Sequence, residues 1–133
     1  MSQDISKTTV SGLENSQYID KVRNAKIFTE DSPQLPIKGE VDRVYTPNKT
    51  SAGQDVPITV SENGKPRFVV TRDSLPNVVV WNGAEDKIKG MGDFEPKDAW
   101  KRYICIEPGS VLGWTKLEGG EPWTGSTTFE AKL

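Results

Sequence analysis

The chain has 133 residues, with 17 Lys and Arg against 19 Asp and Glu and a net charge of −2. That length fits one ordinary domain, and the near balance of charge offers no basic footprint of the kind nucleic acid requires. Histidine is absent and cysteine occurs once, at Cys105, so these residues alone cannot make a Ser-His-Asp or Cys-His site, an intrachain disulfide or a Cys/His zinc site.

The first residues, MSQDISKTTV, lack the charged-then-apolar plan of a signal peptide, and no run of about 18 apolar residues follows. The expectation is a cytoplasmic protein with no membrane partner. Twelve Gly and nine Pro interrupt the chain so often that short strands are the natural reading. Lys7 to Val10 and Ala25 to Phe28 have β-compatible patterns, with a helical turn expected between them within Gln17 to Lys26. Ser32 to Pro36 reads as an exposed connection. Gly39 to Thr46 (GEVDRVYT) reads as a strand that puts Val41, Arg43 and Tyr45 on one face and Asp42 and Val44 on the other.

After a Pro- and Ser-containing connection over Pro47 to Pro57, Val56 to Arg72 has two β-patterned runs flanking Asn63-Gly64. That dipeptide suits a type I′ turn because both positions tolerate positive φ, and it predicts a hairpin. Asn77 to Asn82 (NVVVWN) suits a strand buried on both faces, and Glu85 to Met91 a helical turn. Ala99 to Glu107 (AWKRYICIE) alternates like a strand, and Trp123 to Leu133 is rich in Thr and aromatics. Seven or eight short strands predict an all-β fold, a single β-sandwich domain over residues 1–133.

Few residues stand out chemically. Glu107 ends a patterned strand just before Pro108-Gly109, where rigid scaffolds often place site residues; a plain solvated strand end would look the same. Asp42 and Arg43 project to opposite faces, so one of them must point inward or into a cleft, unless the strand is an edge with charge on both sides. Trp81, Trp100, Trp114 and Trp123 suit the core or its rim, with sugar stacking as the alternative. Cys105 reads as a small buried residue. Gly90 to Pro96 lacks the strand–loop–helix setting of a phosphate loop, and Glu85-Asp86 lacks metal-ligand spacing, so the sequence calls for no metal and no cofactor.

Several strings together resemble one family. VVVWN at 78–82, KGMGDFEP at 89–96 and YICIEPG at 103–109 are similar to the C-terminal portion of the glucose-6-phosphate 1-epimerases, or hexose-6-phosphate mutarotases. So are GLENSQYIDKV at 12–22, GEVDRVY at 39–45 and LEGGEPWTG at 117–125. The order matches over nearly the whole chain, with the fungal members especially alike, although Gly83-Ala84 stand where members usually carry Pro and Trp.

The resemblance implies the C-terminal part of a galactose-mutarotase-like β-supersandwich that interconverts the anomers of a hexose 6-phosphate. Glu107 matches the family's base, tuned by burial, and Asp42 the carboxylate that hydrogen-bonds sugar hydroxyls. The family's acid is a histidine in its N-terminal half, beside the basic residues that hold the phosphate. The expectation is therefore that this chain alone is nearly inactive. Its open sheet edges and uncovered apolar face would then invite a complementing N-terminal half or self-association. A non-catalytic β-module that binds carbohydrate or protein is the alternative.

Overall fold

The structure, a computed structural model, describes residues 4–133; the first three residues of the stretch read above for a leader lie outside it. Two five-stranded antiparallel sheets face each other across the core. Among the described residues the strands are β1 (Thr8–Ser11), β2 (Gln17–Asp20), β3 (Lys26–Thr29), β4 (Leu35–Pro36), β5 (Val41–Thr46), β6 (Ile58–Glu62), β7 (Lys65–Asp73), β8 (Asn77–Asn82), β9 (Cys105–Gly109) and β10 (Ser126–Ala131). One sheet runs β10-β7-β6-β1-β4 and the other β3-β2-β5-β8-β9. No described helix is long and apolar enough to cross a membrane.

The β6–β7 hairpin turns on Asn63 (φ 52°) and Gly64 (φ 74°), the paired positive φ angles that the dipeptide predicts. Gly12 is fixed by a closer constraint: at φ 94°, a Cβ there would lie 2.2 Å from the carbonyl oxygen of Pro57, so a side chain would collide with backbone. The core is built from alternate residues of both sheets. Val10, Ile58, Val60 and Val70 face Tyr18, Tyr45, Val78, Val80 and Ile106, as the two-residue period of strands requires.

Three expectations fail. Residues 17–20 form strand β2 rather than a helical turn, because tertiary pairing with β3 on one side and β5 on the other decides their conformation. Leu35–Pro36, inside the expected connection, forms the two-residue strand β4 against β1. The expected strand over Ala99 to Glu107 splits: Ala99–Arg102 is a 3-10 turn and only Cys105–Gly109 is strand. The cause is a side chain from another element. Asn82 Nδ2, at the end of β8, donates to the carbonyls of Trp100 and Tyr103, each at 2.8 Å, and holds the chain in the turn. The expected helical turn after β8 is present as α1 (Ala84–Gly90).

Candidate functional site

The β5 register decides where its polar residues go. Arg43 and Tyr45 point into the sandwich and Asp42 points away from it, which resolves the choice left open by the sequence. On the inner side Arg43 Nη1 donates to Glu30 Oε2 at 3.0 Å, and Tyr45 Oη donates to the same oxygen at 2.8 Å. Arg43 Nε lies 3.6 Å from Asp20 Oδ2, and its guanidinium sits over the Tyr18 ring at 4.5 Å. Burial pushes the Tyr45 phenol well above its usual range, outweighing the nearby Arg43 cation. This cluster is fully engaged within the protein.

The outer face of the same sheet carries a different set. Asp42 pairs in register with Trp81 on β8, and Trp81 with Cys105 on β9. One step along, Val44 pairs with Val79 and Val79 with Glu107. Side chains two apart on a strand share a face, and directly paired residues share one too. Asp42, Val44, Val79, Trp81, Cys105 and Glu107 therefore all lie on the outer face. With strands about 4.8 Å apart and a rise of about 3.3 Å per residue, the Asp42 and Glu107 Cα atoms are roughly 12 Å apart, with Trp81 and Val79 between them.

Glu107 stands in the middle of β9, not at its end: the strand runs on through Pro108 and Gly109, with Pro108 opposite Val78. Its side chain is exposed, so the described residues do not supply the buried setting expected of a tuned base. Asp42 is 18% exposed, with Lys21 Nζ 4.0 Å from Oδ1. The Lys21 backbone N–H donates to the Asp42 carbonyl at 2.9 Å, fixing the chain beside it.

Two more members of this face stand apart from their first-choice sequence readings, Trp81 having sugar stacking as its alternative. Trp81, expected in the core or its rim, is half-buried on the outer face, its ring 5.4 Å from that of Tyr103, which lies 5.7 Å from Phe94. Cys105, expected to be buried, is half-buried; burial raises its thiol pKa and the Glu107 charge raises it further. Both follow from strand parity: Cys105 is two residues before Glu107, and Trp81 is the cross-strand neighbour of Asp42. The other tryptophans divide. Trp100 packs against the core, whereas Trp114 is fully exposed and Trp123 is exposed in the connection after β9.

Comparison with known proteins gives one consistent result. The family profile described as aldose 1-epimerase matches residues 1–130. A Cenchrus ciliaris protein named "Putative glucose-6-phosphate 1-epimerase" is 35% identical over 130 residues, which are 96% of this chain and 37% of that one. The crystal structure of a "putative mutarotase" from Salmonella typhimurium superposes with a TM-score of 0.68 at 29% identity, covering 80% of this chain and 34% of the other. The structure of HI1317, at 19% identity, shares the fold with a TM-score of 0.69 over 96% of this chain and 41% of the other. The sandwich is thus mutarotase-like, and the chain spans little more than a third of the length of these relatives.

Proposed function

Because the chain belongs to the aldose 1-epimerase family, we propose that its outer sheet face is part of a site that interconverts the α and β anomers of D-glucose 6-phosphate. The observation that carries this reading is the placement of Asp42 and Glu107 on one face with Trp81 between them. The cytoplasmic setting expected from the sequence suits a phosphorylated sugar.

The chemistry needs two proton transfers. A base removes the proton of the anomeric hydroxyl while an acid protonates the ring oxygen; the C1–O5 bond breaks, C1 becomes a carbonyl, and rotation about C1–C2 lets O5 return to the opposite face. Glu107 takes the role of base. Its exposure leaves the carboxylate within reach of a sugar lying on the sheet. Asp42 accepts hydrogen bonds from ring hydroxyls and sets the orientation, and the flat Trp81 ring offers an apolar surface to the C–H groups of the pyranose. The family resemblance makes the acid a histidine beside the phosphate-binding residues, and this chain contains no histidine; on this reading the acid and the phosphate contacts come from the part of the relatives' length that these residues do not match.

Anomer exchange measured by two-dimensional NMR on glucose 6-phosphate tests the assignment. The chain alone should add little to the uncatalysed rate, and addition of the N-terminal portion of a relative should raise it. In that reconstituted state Glu107→Gln should lower the rate by about 10²-fold or more. A reconstituted rate that is unchanged in Glu107→Gln would remove Glu107 from the mechanism. Sugar binding with no exchange in any combination would instead favour a non-catalytic carbohydrate-binding module.

A further inference from the structure

The exit of β8 gathers three aromatic rings. Trp81, on the outer face, has its ring centre 5.4 Å from that of Tyr103 at an interplanar angle of 36°, and Tyr103 lies 5.7 Å from Phe94. All three side chains are half-buried. Ring pairs at such separations attract beyond the area they bury, so the row has a preferred arrangement, and Tyr103 is the ring common to both pairs.

Tyr103 is also fixed at both ends. Its carbonyl accepts from Asn82 Nδ2 at 2.8 Å, and its hydroxyl oxygen accepts from the Gly83 N–H at 3.0 Å. These donors belong to the two residues that directly follow Trp81 in the chain. A phenol held only by its backbone could turn to another rotamer, whereas one held at its tip as well gives up a hydrogen bond when it swings away. Asn82 is itself only 1% exposed and fully engaged. Its second Nδ2 hydrogen goes to the Trp100 carbonyl, and its Oδ1 accepts from the Ala84 N–H, both at 2.8 Å. Glycine confines the indole as well. A Cβ on Gly83 would lie 3.2 Å from Trp81 Cζ2 and 2.8 Å from Cδ1 of the fully buried Ile88, so the indole occupies space that a side chain at position 83 would need.

On the reading of the outer face as a sugar site, we propose that Tyr103 is a positioning residue, holding the Trp81 indole at the tilt against which a pyranose lies between Asp42 and Glu107. Tyr103 acts through Trp81 and takes no part in the proton transfers. A platform that rocks meets the C–H groups of the sugar only part of the time, so loosening it weakens binding before it slows chemistry. Every contact that fixes the indole comes from the stretch between Trp81 and Tyr103, so the tether is formed before any ligand arrives and needs no residue from outside this chain.

The indole N–H signals of the full chain, observed by NMR, test the tether without any sugar. Trp81→Phe identifies the Trp81 signal by its loss. Tyr103→Leu removes the neighbouring ring and should move that signal. Tyr103→Phe keeps the ring but has no oxygen for the Gly83 N–H, and should broaden the signal as the tilt loosens, with the far-ultraviolet circular dichroism spectrum unchanged in both variants. In the reconstituted exchange assay, Tyr103→Phe should raise KM for glucose 6-phosphate about 2- to 10-fold, the range of one aromatic contact, and lower kcat by less. In a Trp81→Ala background the same substitution should leave KM where it was, because the ring that Tyr103 positions is gone. A Trp81 signal that stays sharp and in place in both Tyr103 variants overturns the positioning role. So does a KM rise that persists in full without Trp81. Absence of anomer exchange in every combination counts against the sugar site, and the indole signal then decides the tether by itself.

Discussion

On the inner side of β5, Arg43 and Tyr45 meet Glu30 and Asp20 in a network whose carboxylates are 3% and 6% exposed; one residue away on the outer side, Asp42 faces solvent with Lys21 4.0 Å from it. The two neighbours are both charged and belong to the same strand, but they are held under different rules. Inside, charge is tolerated because each group is paired, and no buried side-chain nitrogen or oxygen among the described residues lacks a partner. Outside, Asp42 has Lys21 4.0 Å away and Glu107 is exposed, which under the proposed function leaves their carboxylates open to a sugar. The difference separates residues that hold the sheet from residues that the sheet holds out.

Substitution at adjacent positions should break this contrast most sharply. Arg43→Met leaves Glu30 without its cation, while Asp20 keeps Arg23 Nε at 3.3 Å, and should cost about 3 kcal/mol or more in denaturant unfolding, since removing one partner of a buried pair strands the other. Asp42→Asn removes only a long, partly solvated contact and should change stability by less than about 1 kcal/mol, while weakening any sugar binding measured by calorimetry. Equal losses at the two positions would mean that Asp42 is also a structural residue. Tyr45→Phe sharpens the inner side of the comparison. It deletes the hydrogen bond that Tyr45 Oη donates to Glu30 and the one it accepts from Arg43 Nη1, but leaves the Arg43–Glu30 pair in place, so a loss of about 1–3 kcal/mol is expected, short of Arg43→Met.

How far this arrangement was legible in the sequence depends on whether its cause was local. The hairpin at Asn63-Gly64 follows from two adjacent residues, and the opposed faces of Asp42 and Arg43 follow from the two-residue period of one strand. The 3-10 turn at Ala99–Arg102 does not, because it is held by Asn82 from β8, and the alternation of AWKRYICIE carries no trace of that contact. The site behaves likewise. Asp42 and Glu107 were singled out from their own strings, but their common face requires the β5–β8–β9 register. The register also selects Trp81 from four tryptophans for which the sequence offers sugar stacking as an alternative, and brings Cys105 to the same face.

The smallest predicted effect tests whether Cys105 and Glu107 share that face. The Cys105 thiol has its pKa raised first by burial and then by the Glu107 charge, so less thiolate is present at mildly alkaline pH than for an ordinary cysteine, and alkylation by iodoacetamide should be slower than in the unfolded chain. Glu107→Gln removes the second cause and leaves the first. The midpoint of the alkylation rate against pH should therefore move down, toward the ordinary thiol range without reaching it, and the rate below that midpoint should rise. Asp42→Asn, on the far side of Trp81, should leave the profile where it was. A profile unmoved by Glu107→Gln would separate the two side chains, and with them the β9 half of the face from the chemistry assigned to it.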